Sequence, residues 1–150
     1  MPTPPEPNAP ELLQRMLRGE VPPPPVARLV GFELIEAGNE RALFRLAVDE
    51  RHTNPMGTLH GGILCDVADA AMGCAMATTL RPGQSYTTLE LAITFLKPVW
   101  KTTLTARGWV VKRTRKLGLA ECEVLDEKGS LVAKAKSTCL VLEGEEAVGR

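Results

Sequence analysis

The sequence feature that most constrains the fold is the run from Asn54 to Leu80, where a polar, glycine-rich segment leads directly into the only long apolar helix that the sequence predicts. This helix, expected over residues 59–80, carries so few polar side chains that it should be buried on all sides. Thr58 is the expected N-cap, and the glycines around it let another molecule approach the backbone closely. We therefore expect the rest of the chain to pack around this helix.

Two carboxylates interrupt the apolar pattern, Asp66 and Asp69. A carboxylate in a buried helix is unfavourable unless it is paired, hydrogen-bonded or used in chemistry. Asp69 follows His60 by nine residues, which separates the two by about 13.5 Å along the axis and places them on opposite sides of one helix. If the helix start and Asp69 form one site, a second, antiparallel copy of the helix must complete it. The sequence then predicts an obligatory homodimer with two equivalent composite sites.

On either side of the helix, apolar residues alternate with polar ones, which is typical of strands. Residues 32–37 and 41–48 predict a hairpin that turns at Gly38-Asn39. Four further strands are predicted, over residues 86–96, 102–112, 117–125 and 130–142. Two strands, one long helix and four strands indicate the α+β class, with an antiparallel sheet around a central helix.

At 150 residues, the chain has room for one hydrophobic core, and we place this single domain at residues 31–150. The proline-rich segment 1–30 precedes it, and its first ten residues are expected to be extended or disordered. Glu11 to Arg18 predicts a short amphipathic helix, and Pro22 to Pro25 predict an extended connector. The simplest role of this helix is to cover part of the core, and docking of a partner is the alternative.

The charge balance excludes several classes of partner. Lys plus Arg and Asp plus Glu number 18 each, so no long-range field attracts nucleic acid or an anionic membrane. No uncharged apolar run reaches the roughly 20 residues that span a bilayer, and the N-terminus lacks the pattern of a signal peptide. The four cysteines are far apart in sequence, and with only two histidines they predict no metal site. We expect a cytoplasmic protein with reduced thiols.

A set of residues around the helix start is shared with a known family: a loop asparagine, a glycine, a His-Gly-Gly triplet, an acid nine residues later and a late strand end. In this sequence they are Asn54, Gly57, His60-Gly61-Gly62, Asp69 and Thr94-Phe95-Leu96-Lys97-Pro98. The chain resembles the hotdog-fold acyl-CoA thioesterases, of the phenylacetate-degradation and hydroxybenzoyl-CoA type, over roughly residues 31–142. The resemblance implies the hotdog fold, a homodimer that pairs into a tetramer, and an acyl-CoA substrate with no cofactor besides its own coenzyme A.

The resemblance also implies roles at the helix start. A backbone amide of the His-Gly-Gly segment polarises the thioester carbonyl; here this is Gly61, with Gly62 permitting close approach, and free amides at a helix start suit that role. Asp69 would activate water as a general base or attack the thioester as a nucleophile. The alternatives are glycines that serve packing and an aspartate paired with Lys or Arg of a partner. Asp66 is expected to be structural.

Two polar residues of the preceding loop belong to the expected site. Asn54 would position the water or the carbonyl, and a turn before Pro55 is its alternative role. His60 would orient the loop by hydrogen bonding, with direct acid–base catalysis as the alternative. His52 is expected in an exposed loop.

On the strand after the helix, Thr88 would place a hydroxyl near the water or the leaving thiol. It is also a residue type common in strands for packing reasons alone. Glu90, two residues on, is expected on the same sheet face as Thr88, as a salt-bridge partner or an aid to Asp69.

The densest basic run spans residues 112–116. Lys112, Arg113 and Arg115 would bind the phosphates of coenzyme A, unless the run is only a solvated turn between strands. Cys65 is not expected to act as a nucleophile because no paired base is evident. The sequence contains neither a Gly-x-Ser-x-Gly elbow nor a phosphate loop, which argues against an α/β-hydrolase or a nucleotide enzyme.

The leading function is therefore hydrolysis of an acyl-CoA thioester to free acid and coenzyme A. A hotdog-fold hydratase or dehydratase would instead act on an enoyl thioester without cleaving it. A non-catalytic acyl-CoA-binding protein would bind the thioester without turnover. The sequence does not distinguish an aryl from a medium-chain acyl group.

Overall fold

The computed structural model describes residues 8–149 and contains three α-helices and six strands. The helices are α1 (Ala9–Leu17), α2 (Pro25–Val30) and α3 (Gly61–Ala77). The strands are β1 (Phe32–Gly38), β2 (Arg41–Ala47), β3 (Gln84–Phe95), β4 (Thr103–Arg113), β5 (Leu117–Leu125) and β6 (Leu131–Glu143). Short 3₁₀ turns lie at Glu50–His52 and Gly144–Ala147. Residues 1–10 were predicted to be extended or disordered; residues 1–7 lie outside the described part of the chain, and for Ala9 and Pro10 the prediction is wrong because they form the start of α1.

All six strands form one antiparallel sheet in the order β1-β2-β4-β5-β6-β3. Helix α3 packs on one face of this sheet and contacts every strand. The predicted α+β architecture, an antiparallel sheet around one central helix, is therefore confirmed. The β1–β2 hairpin turns through Asn39 and Glu40, which both adopt positive φ angles, as a tight two-residue hairpin requires.

One side of α3 forms the centre of the core. Val67, Ala68, Ala71, Met72 and Ala75 are fully buried against the sheet. The sheet accommodates the helix at Gly108 of β4, where a Cβ atom would collide with the backbone of Ala71. Small residues on both elements therefore let the helix and the sheet approach closely.

The opposite side of α3 is not buried in the single chain, contrary to the expectation from its composition. Gly62, Asp66 and Asp69 are exposed there, at positions that recur every three to four residues along one stripe. The helix also begins at Gly61, with His60 rather than Thr58 as its N-cap. Thr58 instead accepts a hydrogen bond from the Asn54 side chain in the loop.

The N-terminal segment packs against β1 and the hairpin. Helix α1 is capped by Asn8, and its Gln14 donates a hydrogen bond to the carbonyl of Ala37 at 2.8 Å. Helix α2 was not predicted from the sequence, where Pro25 was assigned to an extended connector. Proline suits the first turn of a helix because its fixed φ is helical and its missing N–H has no partner there, and Gly31 ends the helix at φ 93°.

A bulge at Leu89 interrupts the pairing of β3 with β6: Thr88 pairs with Cys139, whereas Glu90 pairs with Thr138. Residues paired across antiparallel strands share a face, so Thr88 faces α3 with the buried Cys139 and Glu90 faces the other way. The expectation that Glu90 shares a face with Thr88 is therefore wrong. Two-residue alternation fails at a bulge because one extra residue is inserted.

Candidate active site

The start of α3 presents a free backbone amide. His60 caps the helix with its ring Nδ1, which accepts a hydrogen bond from the Gly62 amide at 2.9 Å. The Gly61 amide has no acceptor among residues 8–149. An unpaired N–H at the positive end of a helix can donate to a developing oxyanion. His60 was predicted to orient the loop by hydrogen bonding, and the hydrogen bond that its ring makes is this one, to the Gly62 amide.

The loop before the helix is held by its own side chains. The Asn54 Oδ1 accepts hydrogen bonds from the amides of Met56 and Thr58, at 2.9 and 3.2 Å, and its Nδ2 donates to the Thr58 hydroxyl at 2.7 Å. These contacts form the Asx turn that was the alternative role of Asn54. Asn54 thus shapes the approach to the helix start, and its side-chain amide is engaged within the loop.

His52 is buried, with 4% of its surface exposed, so the prediction of an exposed loop residue is wrong. Its Nδ1 accepts a hydrogen bond from the Asp49 amide at 3.0 Å, and its Nε2 lies 2.7 Å from the carbonyl of Val30 at the end of α2. Its own carbonyl accepts from the His60 amide at 2.8 Å. His52 therefore connects α2 with the start of α3, a role that local polarity in the sequence does not reveal.

Asp69 lies on the open side of α3, opposite the sheet-facing residues. The Thr88 hydroxyl lies 3.5 Å from its Oδ1, a long hydrogen bond in which Thr88 donates. Partial removal from water raises the pKa of Asp69, the Thr88 hydrogen bond lowers it, and the charge of Asp66 raises it, with a net increase above the ordinary value. No lysine or arginine within residues 8–149 forms an ion pair with Asp69. The structure therefore brings together Asp69 and Thr88, which were each predicted as site residues.

Gly61 and Asp69 do not meet within one chain. They are eight residues apart on the same helix, which corresponds to roughly 12 Å along its axis. This is more than a single carbonyl group can span. The folded chain therefore keeps the helix start and Asp69 apart, as their spacing in the sequence predicted.

A cavity of about 400 Å³ opens beside Asp69. The N-terminal segment, the β1–β2 hairpin, α3 and β3 all contribute to its walls. The lining residues are Met16, Pro23, Pro24, Val26, Ala27, Phe32, Glu33, Leu34, Phe44, Asp66, Asp69, Ala70, Cys74 and Tyr86. Burial, and then the charge of Asp69, raise the pKa of the Cys74 thiol to about 12, so this cysteine stays protonated at neutral pH.

Two aromatic residues of β3 contact glycines of α3, and neither contact was predicted from the sequence. Phe95 packs on Gly61, where a Cβ atom would lie 2.9 Å from the ring. The Tyr86 hydroxyl occupies the position that a Cβ of Gly73 would take. A glycine inside an apolar helix is a signal of such close approach, and Gly73 carried that signal in the sequence.

The basic run lies where β4 turns into β5, near the C-terminal end of α3. Arg113 donates hydrogen bonds to Thr79 Oγ1 at 3.2 Å, to the carbonyls of Thr114 and Arg115 and to Gln84 Oε1. Lys112 and Arg115 are exposed. Arg113 thus fastens the helix end, while its neighbours keep their charges in solvent.

No helix within residues 8–149 is long and apolar enough to cross a membrane.

Known proteins are similar to this chain in both sequence and fold. The Thioesterase superfamily profile matches residues 56–133. Acyl-coenzyme A thioesterase 13 of Mus musculus is 30% identical over 111 residues, which cover 70% of this chain and 76% of that protein. A phenylacetic acid degradation-related protein of Ralstonia eutropha JMP134 is 31% identical with a TM-score of 0.78, covering 85% of this chain and 98% of that one.

A thioesterase family protein from Silicibacter pomeroyi has a TM-score of 0.79 and 25% identity, covering 88% of this chain and 99% of that structure. The profile match includes the helix start, Asp69, Thr88 and the whole of α3. The family match and the sheet wrapped around α3 agree with the resemblance seen in the sequence. This chain therefore belongs to the thioesterase superfamily and is a thioester hydrolase with the hotdog fold.

Proposed function

We propose that this chain hydrolyses acyl-CoA thioesters at two composite sites of a homodimer. The observation that carries the proposal is that α3 presents two groups suited to this reaction. A free Gly61 amide lies at its start, and the Asp69 carboxylate, whose pKa is raised, lies on its open side. Because the two are too far apart in one chain, each site takes Gly61 from one protomer and Asp69 from the other.

In the proposed reaction, the Gly61 amide donates a hydrogen bond to the thioester carbonyl oxygen and stabilises the oxyanion. Asp69 takes a proton from water, whose oxygen attacks the carbonyl carbon. The carbon–sulfur bond then breaks, and coenzyme A leaves as the thiol after taking up a proton. If Asp69 instead attacks as a nucleophile, a mixed anhydride forms first and water cleaves it. Thr88 positions the Asp69 carboxylate in both routes.

The free edge of β3 supports the dimer. An unpaired edge strand exposes backbone N–H and C=O groups that can pair with another chain. On and beside this 12-residue edge, Leu89, Phe95 and Leu96 are 58%, 53% and 53% exposed. A second copy seated along β3 would cover these side chains and the open side of α3 together.

The basic run supports coenzyme A as the leaving group. Arg113 is fixed at Thr79, just after α3 ends at Ala77, and Ala77 lies eight residues or roughly 12 Å beyond Asp69 along the helix. The phosphates of coenzyme A sit on a long flexible arm, away from the thioester. We propose that Lys112 and Arg115 bind these phosphates and that Arg113 holds the turn in place. Gly62 leaves room for the thioester at the helix start.

The test is hydrolysis of a panel of aryl and aliphatic acyl-CoAs by wild type, Asp69→Asn and Glu90→Gln. We expect Asp69→Asn to lose about 10²–10⁴-fold in kcat, the usual contribution of a general base. Glu90→Gln makes the same chemical change on the outer face of β3 and should keep wild-type rates. Hydration of enoyl-CoA without thioester cleavage, or full activity of Asp69→Asn, would contradict the proposal.

A single turnover in H₂¹⁸O separates the two roles of Asp69. A general base puts ¹⁸O into the acid product in the first turnover. A nucleophile leaves the heavy oxygen in the Asp69 side chain when water attacks the carboxyl carbon of Asp69. Mass spectrometry of the product and of the Asp69-containing peptide measures both outcomes.

A further inference from the structure

Nine of the 14 residues that line the cavity beside Asp69 precede the part of the chain matching the superfamily profile. That match begins at residue 56, whereas Met16, Pro24 and Val26 of the cavity wall belong to the N-terminal segment. Asp69 and Ala70 of α3 form the facing wall. The cavity therefore lies between the helix that carries Asp69 and the N-terminal segment, which the profile match does not include.

This wall is held in place by specific contacts. Leu13 and Ala27 are buried, with 6% and 5% of their surfaces exposed. Gln14 binds the carbonyl of Ala37 at 2.8 Å, and His52 binds the carbonyl of Val30 at 2.7 Å. A wall anchored at both of its helices has a defined distance from α3, so it can limit the size of a bound group.

Most residues that line the cavity are apolar; the polar ones are three acids, Cys74 and Tyr86. Phe32, Leu34 and Phe44 come from the hairpin and meet Met16 and Val26 from the N-terminal segment. The charged lining residues are all carboxylates: Glu33, Asp66 and Asp69. Glu33 is paired with Arg45 at 3.0 Å, which leaves the two aspartates as the uncompensated charges. Such a cavity favours a neutral, apolar group and disfavours an anionic one.

We propose that the N-terminal segment, residues 9–30, closes the acyl-group pocket and that its side chains set the length of a neutral, apolar acyl group. This inference rests on the proposed thioester hydrolysis at Asp69. The acyl chain extends from Asp69 past Ala70 toward Met16 and Val26. An acyl group with a distal carboxylate is rejected because that charge would be buried beside Met16 and Val26, without a cation in the lining.

The test compares Met16→Ala, which enlarges the cavity, with Met16→Trp, which fills it. Linear acyl-CoAs of increasing length report kcat/KM, and each methylene that gains a buried position is expected to raise it about fourfold. Met16→Ala should move the preferred length up by about two methylenes, and Met16→Trp should move it down. Leu12→Ala, at a 40%-exposed position of the same helix outside the cavity, should leave the profile unchanged.

A dicarboxylic acyl-CoA should be hydrolysed at least tenfold less well than the neutral acyl-CoA of equal length. Opposite shifts by the two Met16 variants exclude misfolding as the cause, because a damaged protein would lose activity at every length. If wild type hydrolyses acyl-CoAs through Asp69 but both variants keep its length profile, the inference is wrong and the proposed function stands.

If wild type hydrolyses none of them, the proposed function fails. Calorimetric binding of the same acyl-CoA series to the three proteins then decides whether the segment sets chain length. Affinities that shift in opposite directions for the two Met16 variants would support the inference, and affinities independent of chain length would overturn it.

Discussion

The two edges of the sheet differ in how well they are protected from pairing with another strand, although both contain a bulge. The β1 edge is seven residues long, is bulged at Ile35, presents Glu33 and Glu36, and lies under α1. The β3 edge is 12 residues long and exposes Leu89 at its bulge. Charges, short length and a covering helix are the usual means of preventing edge pairing, and only β1 has them all. The difference supports the proposal that a second copy pairs along β3.

Among the variants that test the difference between the two edges, the largest effect is expected from placing a charge on the β3 edge. Leu89→Lys should weaken the proposed dimer, because each dimer loses two buried leucines worth about 3 kcal/mol together, roughly a hundredfold in the dissociation constant. Activity should fall at low protein concentration as the composite sites separate. Sedimentation velocity and the concentration dependence of kcat/KM measure the two effects.

The matched control is Ile35→Lys, which places the same charge at the bulge of the β1 edge. It should leave the association state unchanged. Equal dissociation by the two variants would remove the distinction between the edges, and so would a Leu89→Lys protein that assembles like wild type.

On the β1 side, the covering segment depends on a buried histidine. His52→Ala should lower the free energy of unfolding by about 2–3 kcal/mol, because the carbonyl of Val30 and the amide of Asp49 lose their buried partner. Urea unfolding followed by circular dichroism gives the value. Thr53→Ala removes an exposed hydroxyl that donates to the Glu50 carbonyl, and we expect it to cost less than about 1 kcal/mol.

On the β3 side, Asp69 should oppose folding once it is ionised. Its pKa is raised in the folded chain above the ordinary 3.8, so the folded state binds protons more tightly than the unfolded state. Stability therefore falls as the pH rises from the unfolded pKa through the folded one. Asp69→Asn should be more stable than wild type at pH 7, and the difference should vanish toward pH 3.8. A constant difference across denaturation curves at several pH values would contradict this assignment.

The smallest expected effect is at Thr88. The hydroxyl lowers the pKa of Asp69, so Thr88→Val should raise that pKa and move the acidic limb of the kcat/KM profile to higher pH. The rate at the plateau should fall only severalfold, since a long hydrogen bond contributes little. Thr87→Val changes a neighbour that pairs with Leu140 on the other face, and its pH profile should match wild type.

The sequence predicted the elements whose periodicity is long and regular. The hairpin, α3 and the four later strands lie within a few residues of their expected positions, because alternation and apolar runs follow directly from burial. Helix α2 was missed because it has six residues and begins at the last of four consecutive prolines. The burial of His52 was missed because its partner Val30 lies 22 residues earlier, at the end of a helix that was not predicted.

For the site, spacing along one helix was sufficient to show that Gly61 and Asp69 lie apart. The resemblance implied a Thr88 hydroxyl near the water or the leaving thiol, and the structure places this hydroxyl 3.5 Å from Asp69 Oδ1. The orientation of Glu90 could not be predicted, because nothing in the local sequence marks Leu89 as an extra residue. The catalytic roles themselves stay predictions until the Asp69 variants are assayed.

The bulge at Leu89 also bears on how this chain can diverge during evolution. Substitutions in β3 change one side chain at a time, but regular pairing of the same number of residues with β6 would reverse the facing of one half of the strand, because the bulge lets Thr88 pair with Cys139 and Phe95 pair with Ala133 on the same face. Either the hydroxyl beside Asp69 or the ring over Gly61 would then turn away from the helix. Descendants of this chain are therefore expected to keep the bulge, or to lose it together with one residue, while the side chains here vary.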